Sequence, residues 1–293
     1  MHSVVAQSWT HLLELLYADS WRPDIGRFRS SLAFRGMSDV TNDLSSSLGR
    51  LGEHAVALEG HILRNFRKYA QRESVPGDST WNWLSLAQHH GLPTRLLDWT
   101  YSPLVALHFA TASLRYYGRD GIVWCVDYSA TNRLLPARLR RALADAGADA
   151  FTAEMLDGVA PTLGRFDRLS RRPFLVWLEP PSLDDRIVNQ FALFSLLSDP
   201  AAGQDAWLAR HPSVVRRVVI PAALKWEVRD KLDQANVTER VLFPGLDGLS
   251  QWLKRYYTPS GGEGARRRGE RRGDRRGDRR GDRRTARRAR RGD

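Results

Sequence analysis

The chain has 293 residues and a formal net charge of +12 at pH 7, with 42% hydrophobic and 27% charged residues. This balance, together with ten tryptophans and ten phenylalanines, excludes a protein that is disordered throughout. The single cysteine, Cys125, excludes an internal disulfide and a cysteine-based zinc site. No apolar run approaches the roughly 18 residues of a membrane span, and the N-terminus lacks the basic leader of a signal peptide. We therefore expect a cytoplasmic protein.

Positive charge is concentrated at the C-terminus. Residues 261–293 contain 15 arginines and 6 acidic residues, a net charge of +9, which leaves +3 for the first 260 residues. The unit RRGD recurs there without large apolar residues, so we expect a disordered tail over residues 258–293 after a folded domain over residues 1–257. One interpretation is an electrostatic arm for RNA, DNA or an anionic membrane. The interspersed acidic residues and the lack of aromatic rings for base stacking favour a dispensable, solvated extension.

Hydrophobic spacing and cap residues predict alternating helices and strands in the folded domain. Helices are predicted over residues 5–17, 53–72, 79–90, 104–117, 182–190 and 222–236, with a last helix ending near Tyr257. Strands are predicted over residues 31–36, 121–128, 174–178, 191–197 and 214–220. Ser102 and Ser182 are the expected caps of the helices that follow them. Residues 132–168 are expected to form a helical insertion. The predicted fold class is α+β, as a single mixed α/β domain.

Residues 87–110 are the segment with the most candidate residues, and its polar groups lie between two apolar helices. Gln88, His90, Arg95, Asp98 and Thr100 are concentrated in this predicted loop, where a ligand pocket could form. The alternative is a structural loop in which Arg95 pairs with Asp98 and the other groups satisfy buried backbone. The residue chemistry alone favours the structural alternative.

Arg35 is a second candidate, because it ends a predicted buried strand and is followed by Gly36. A buried arginine needs a partner, and its planar fork suits a phosphate or a carboxylate such as that of Asp98. Common catalytic signatures such as a P-loop or HExxH are absent from the sequence. His89 and His90 are adjacent on a helix and point about 100° apart, so we expect no metal site.

Five segments, in this order, closely resemble the FRG domain family. They are FRG (residues 34–36), QHHGLPTRLLDWT (88–100), SPLVALHFA (102–110), RIVNQ (186–190) with Phe194, and LFPGLDG (242–248). The resemblance covers roughly residues 20–255 and excludes the tail. It implies an FRG-type domain more firmly than it implies any activity.

A weaker resemblance is to ADP-ribosyltransferases. Arg35 matches their strand-borne arginine, Asp98-Trp99-Thr100 their hydroxyl-bearing strand, and Gln190 the glutamine of their last motif. Ala192 stands where their catalytic glutamate would be, which leaves Glu179, Glu227 and Glu239 as substitutes that nothing in the sequence places there. This resemblance implies a split sheet with flanking helices and NAD as the substrate.

Together the resemblances give the leading hypothesis, a protein with a nucleotide (NAD-like) pocket that acts as an effector in a toxin or phage-defence context. Its expected catalytic residues are Arg35, Thr100 and Gln190, and its expected ligand-binding residues are Arg35, His90, Arg95, Asp98 and Thr100. The alternative is a non-catalytic module that binds a partner protein. A third hypothesis is RNA binding through the basic tail, the part of the chain from which we expect any nucleic-acid contact.

Overall fold

The structure of the protein, a computed structural model, describes residues 2–70 and 77–260. Most of the tail predicted to be disordered lies outside these residues, so that expectation stays a prediction. The strands are β1 (His2–Val5), β2 (Trp21–Arg22), β3 (Arg27–Phe28), β4 (Leu32–Met37), β5 (Leu97–Thr100), β6 (Gly121–Asp127), β7 (Leu175–Leu178), β8 (Ala192–Leu197) and β9 (Val215–Ile220).

Fourteen α-helices accompany these strands in the described residues. They are α1 (Trp9–Tyr17), α2 (Glu53–Ala57), α3 (Glu59–Tyr69), α4 (Thr80–His89), α5 (Pro103–Ala110), α6 (Tyr128–Asn132), α7 (Ala137–Ala146), α8 (Ala153–Val159), α9 (Leu163–Asp167), α10 (Asp185–Asn189), α11 (Gln204–Ala209), α12 (Lys225–Gln234), α13 (Glu239–Leu242) and α14 (Leu246–Tyr256). None of these helices has the length and apolarity that a membrane crossing requires.

Seven strands form one mixed sheet in the order β1-β9-β6-β4-β5-β8-β7. The pair β1–β9 is parallel and every other neighbouring pair is antiparallel. Strands β2 and β3 form a separate two-stranded hairpin. The predicted class, a mixed α/β fold with helices around a sheet, is confirmed. The central pair β4–β5 is unusual because it shares only the residue pair Phe34–Thr100.

Alternation along the strands divides the core between the two faces of the sheet. On β6, Trp124 joins a cluster on one face, whereas Val123 and Cys125 join a cluster on the other. The second face carries two groups of helices. Helices α1, α5 and α12 pack near β4, β6 and β9, and helices α3, α4 and α7–α9 pack near β7 and β8. The gap between these two groups therefore lies in front of β4 and β5.

Strand and helix boundaries follow local chemistry where a cap is present. Ser102 accepts a hydrogen bond from the Val105 amide, with proline in the first turn of α5, as predicted. The helix predicted over 182–190 begins later than expected, because Asp184 and not Ser182 caps it. Val5 is also assigned differently, since it lies in β1 and the first helix starts after Ser8.

Residues 97–100 were predicted as part of a loop, and this prediction is wrong. They form β5, whose four residues pair with Ser195 to Ala192 of β8. Leu97 and Trp99 are buried on one face, and the polar residues Asp98 and Thr100 alternate with them. The two polar residues make this strand difficult to recognise from the sequence. The predicted helix over 53–72 is interrupted at Leu58, and its last two residues lie outside the described part of the chain.

Helices do form within residues 132–168, as predicted, but they are more than a peripheral insertion. Leu139 of α7, Leu156 of α8 and Phe166 of α9 are fully buried in the same cluster as Phe194 of the central sheet. These helices therefore build one half of the core on the second face of the sheet.

Gly36 permits close contact between strand β4 and helix α5. A Cβ atom at this position would lie 1.7 Å from the carbonyl oxygen of Ala106 in α5, so only glycine lets β4 approach the helix backbone this closely.

We predict that Gly36→Ala lowers the free energy of unfolding by about 3 kcal/mol, because α5 must move away from β4. The matched control is Gly60→Ala on α3, where a Cβ atom meets nothing within 4 Å. This control should raise stability by about 0.5–1 kcal/mol, since alanine favours the helix. Urea denaturation of both variants measures the difference, and equal stabilities would contradict the packing argument.

A buried polar network joins α5 to the C-terminal helices. The guanidinium of Arg229 on α12 donates to Nδ1 of His108 at 2.9 Å and to the carbonyl of Val237 at 2.6 Å. Arg255 of α14 binds Asp233 and Glu239. Burial, reinforced by the positive charge of Arg229, lowers the pKa of His108 to about 3. His108 is therefore neutral in the folded protein.

A neutral buried histidine makes stability depend on pH. Between about pH 6.5 and 3 the unfolded chain binds a proton at His108 that the folded protein does not, so stability falls as the pH falls. We predict a loss of about 2 kcal/mol between pH 7 and 5 from this group, measured by urea denaturation. His108→Gln should remove this loss, whereas His54→Gln, on an exposed histidine, should keep it. The same pH dependence in His108→Gln would exclude His108 as its source.

Candidate functional site

The candidate site is the cleft that opens where β4 and β5 part. Beyond the pair Phe34–Thr100 the two strands no longer share ladder hydrogen bonds. Arg35 lies at this point, and its Nη1 donates to the backbone carbonyl of Asp98. A cavity of about 230 Å³, here called the inner chamber, occupies the gap. Its lining consists of Phe34, Arg35, Gly36, Gln88, His89, Asp98, Trp99, Thr100, Phe109, Arg186, Ile187, Gln190, Ala192 and Phe194.

A second, more polar cavity of about 460 Å³, here called the outer chamber, adjoins the first. The two chambers share the five polar residues Arg35, Gln88, His89, Asp98 and Arg186. The outer chamber adds further basic residues, which are Arg50 and His90. The cleft thus has an aromatic and aliphatic end and a cationic end, and Arg35 belongs to both.

Arg35 carries a charge that the protein compensates weakly. Its side chain is only 21% exposed, and the nearest Asp98 carboxylate oxygen is 3.9 Å from Nη1. Its Nε is buried and has no hydrogen-bond partner among the described residues. Burial lowers the pKa of Arg35, Asp98 opposes this effect and Arg50 adds to it. An arginine stays protonated at neutral pH even so, and a buried donor without an acceptor favours binding of an anion.

Among the described residues that line the two chambers, Asp98 is the only one with a carboxylate. Gln88 Nε2 donates to both of its oxygens, at 3.0 and 3.1 Å. The hydroxyl of Thr94 donates to the Gln88 carbonyl oxygen at 2.6 Å, which sets the orientation of the amide. Asp98 is 62% exposed and is therefore held in place while it stays accessible to solvent.

His89 forms an ordered pair with a carboxylate at the edge of the cleft. Its Nε2 lies 2.8 Å from Asp184 Oδ2, and Asp184 also accepts from the Ile187 amide as the cap of α10. Burial lowers the pKa of His89, Asp184 raises it, and Arg186 and His90 lower it further. The ring of His90 stands edge-on to that of His89, with centroids 5.2 Å apart.

Thr100 and Gln190 line the inner chamber, but the Thr100 hydroxyl and Gln190 Nε2 already have protein partners. The Thr100 hydroxyl donates to the Gln190 carbonyl at 2.7 Å and accepts from the Ser102 amide. Gln190 Nε2 donates to the Leu242 carbonyl at 2.8 Å. Ala192 also lines the chamber and brings no carboxylate with it. These contacts give Thr100 and Gln190 a part in shaping the wall.

The three glutamates considered as substitutes for the missing acid do not line either chamber. Glu179 accepts from the Tyr101 hydroxyl, Glu227 pairs with Lys231 on the same helix, and Glu239 pairs with buried Arg255.

Arg95 lies outside both chambers and does not pair with Asp98. Its Nε donates to both oxygens of Glu59 at 2.9 Å, and its Nη1 donates to Asp167 at 2.5 Å. Its side chain is only 3% exposed. These ion pairs connect the segment before β5 to α3 and α9, so Arg95 has a structural role.

We predict that Arg95→Met lowers the free energy of unfolding by about 3–5 kcal/mol, because the carboxylate of Glu59 would stay buried without its partner. Arg138→Ala, on an exposed arginine of α7, serves as the control and should change stability by less than about 0.5 kcal/mol. Guanidinium denaturation distinguishes the two. A stable Arg95→Met protein would show that the ion pairs are not structural.

The wall that carries Arg186 is held by the segment before α14. Asn189 and Gln190 of the RIVNQ segment donate to the carbonyls of Val241 and Leu242. The guanidinium of Arg186 stacks on the ring of Phe243, 5.0 Å from its centroid. Two of the segments singled out in the sequence, 186–190 and 242–248, thus bind one another.

Sequence reasoning missed two of the cleft's basic residues. Arg186 lay within a quoted segment, so its signal was present but was not used. Arg50 lies in a short turn and carries no local pattern; its Nη1 donates to the Ser45 carbonyl at 2.5 Å. Only the three-dimensional fold brings Arg50 beside Arg35.

Residues 30–117 match the family model of the FRG domain. These residues carry an FRG domain. The matched residues supply Arg35, Gln88, Asp98 and Thr100 to the cleft, whereas α10 and the segment around Phe243 lie outside the FRG match. The comparisons found no match among curated proteins or solved structures. They give no support to the weaker resemblance to ADP-ribosyltransferases. The match therefore establishes an FRG domain and does not establish an activity.

Proposed function

We propose that the cleft between β4 and β5 binds a nucleotide, with its phosphates in the outer chamber and an aromatic ring in the inner one. This proposal rests mainly on the excess of positively charged side chains that line the cleft. Arg35, Arg50 and Arg186 face a cavity whose one carboxylate, Asp98, is already hydrogen-bonded by Gln88. Arginine suits phosphate because its planar donors bind two oxygens at once.

The two ends of the cleft support the ring and phosphate assignment separately. Phe34, Phe109 and Phe194 line the inner chamber, where a flat ring would displace water from apolar surface. Arg50 and His90 belong to the outer chamber alone. Arg35 belongs to both, and its unpartnered Nε would gain an acceptor from a phosphate or ribose oxygen. NAD, with two rings and a pyrophosphate, is the leading candidate ligand.

Turnover of NAD is the finer form of this proposal. A glycosidic bond that breaks through an oxocarbenium-like state needs a nearby carboxylate for stabilisation. Asp98 is the group in the lining that could supply it, since Ala192 cannot. An effector role in a toxin or phage-defence context rests on the family resemblance alone and stays a prediction.

A non-catalytic binding module is the second candidate function. It is favoured by the hydrogen bonds that occupy Thr100 and Gln190, the two polar groups expected to act on substrate beside Arg35. In this case the cleft recognises a nucleotide or an anionic group of a partner protein without changing it.

Isothermal titration with NAD, ADP-ribose, AMP and uncharged adenosine tests the binding proposal. We expect the phosphate-bearing ligands to bind and adenosine to bind much more weakly. Arg50→Ala and Arg186→Ala should each weaken binding by roughly 10-fold or more, the effect of one hydrogen bond to a charged group. Arg138→Ala, far along the chain on α7, is the matched control. Equal binding of adenosine, or unchanged affinity in both cleft variants, would contradict the proposal.

Release of nicotinamide from NAD separates the two candidate functions. An enzyme should lose release in Asp98→Asn while NAD affinity is largely kept, because the carboxylate acts on the transition state more than on the bound ligand. A binding module shows NAD affinity without release in the wild-type protein.

A further inference from the structure

Helix α14 presents its apolar side chains to solvent. At 100° per residue, Leu246, Leu249, Leu253, Tyr256 and the capping residue Tyr257 fall within an arc of roughly 100°. All five are exposed, Leu246 by 80% and Tyr257 by 77%. The residues that α14 buries are instead Gly248 and Arg255, on the opposite side. This is the reverse of the usual arrangement, in which the apolar side of a surface helix faces the core.

The buried side of α14 is fixed, so the helix cannot roll to bury its leucines. A Cβ atom at Gly248 would lie 1.9 Å from the Phe243 carbonyl oxygen, which shows how closely the backbones approach. Arg255 donates to Glu239 at 2.6 Å and to Asp233 at 2.7 Å and is 5% exposed. Rolling the helix would break this buried ion pair and replace the glycine contact. The exposed stripe is therefore a stable feature of the fold.

Strong positive charge follows the stripe directly in the chain. Helix α14 ends at Tyr256 and is capped by Tyr257. Residues 261–293, which begin four residues after Tyr257, carry 15 arginines and 6 acidic residues. Lys254 lies exposed on the helix itself, and Arg240 stacks on Trp252 with its guanidinium 4.9 Å from the ring. An apolar stripe and a polybasic segment are the two signals that together hold a protein at an anionic bilayer.

We propose that α14 docks on an anionic lipid bilayer. The stripe of Leu246, Leu249, Leu253, Tyr256 and Tyr257 enters the boundary between headgroups and acyl chains, and the net charge of +9 on residues 261–293 favours a bilayer that is anionic. This surface is separate from the nucleotide cleft. The charge argues against a second copy of the chain as the occupant, because pairing two stripes would bring two segments of net charge +9 together. A nucleic acid would use the arginines but leave the leucines uncovered.

Vesicle co-sedimentation of the full chain tests this docking. We expect binding to vesicles of phosphatidylcholine with 30% phosphatidylglycerol, little binding to pure phosphatidylcholine, and a marked decrease at high salt. Leu246→Glu and Leu253→Glu should each weaken binding by roughly 10-fold or more, because a leucine no longer leaves water. Leu134→Glu, at an apolar residue exposed elsewhere, is the matched control and should bind like wild type.

The arginines are tested by replacing those of residues 261–293 with glutamine in the full chain, which should abolish the preference for anionic vesicles. Circular dichroism and thermal melting confirm that each variant is folded. Three results would overturn the proposal. One is vesicle binding that the leucine substitutions leave unchanged. Another is a concentration-dependent dimer, lost in Leu246→Glu, without vesicle binding. The third is RNA binding by the basic segment with no vesicle binding.

Discussion

The hydrogen bond from the Arg35 guanidinium to the Asp98 carbonyl stands where the ladder between β4 and β5 ends. A backbone ladder leaves no room for a ligand, and a sheet that simply stopped would leave buried carbonyls unpaired. Arg35 resolves this conflict, since one side chain satisfies the carbonyl and still lines the cavity beside it. The close approach of Gly36 to α5 holds β4 on the other side of the gap. The cleft therefore depends on the Arg-Gly pair at the end of β4.

The placement of compensating charge separates structural arginines from those of the cleft. Arg95 and Arg255 are each bound by two carboxylates. Arg229 contacts a carbonyl, a neutral histidine and, at 3.6 Å, the carboxylate of Asp233. In contrast, the Arg35 guanidinium lies 3.9 Å from the carboxylate of Asp98, which already accepts from Gln88. Arg186 stacks on the ring of Phe243. Arg95 and Arg255 are thus each neutralised by two carboxylates, whereas the cleft keeps an excess of positive charge. Positive charge in a cavity that is open to solvent stays hydrated, and it attracts an anion that enters the cavity.

Much of the fold could be predicted because short-range chemistry specified it. The apolar run of β6 and the Ser-Pro start of α5 each contain their own signal. β6 forms where it was expected, and α5 begins as expected but ends at Ala110 instead of at residue 117. The residue pattern did not predict β5, because every second residue of this short strand is polar and lines the cleft. The same applies to the site, since a sequence shows which arginines exist but not which carboxylates reach them. Arg95 and Arg35 look alike in the chain, and only their distant partners Glu59 and Asp98 distinguish them.

Residues 241–248 connect the two functional features proposed for the molecule. The carbonyls of Val241 and Leu242 accept hydrogen bonds from Asn189 and Gln190 at the wall of the cleft. The ring of Phe243 stacks on Arg186, and Gly248 allows α14 to pack closely with its apolar stripe facing outward. All of these contacts lie on the buried side of the segment, whereas Leu246 and Leu253 point away from it. A change to the stripe therefore leaves the support of the cleft intact, and a change to Arg50 or Arg186 leaves the stripe intact. The same separation means that the failure of one proposal would carry no evidence against the other.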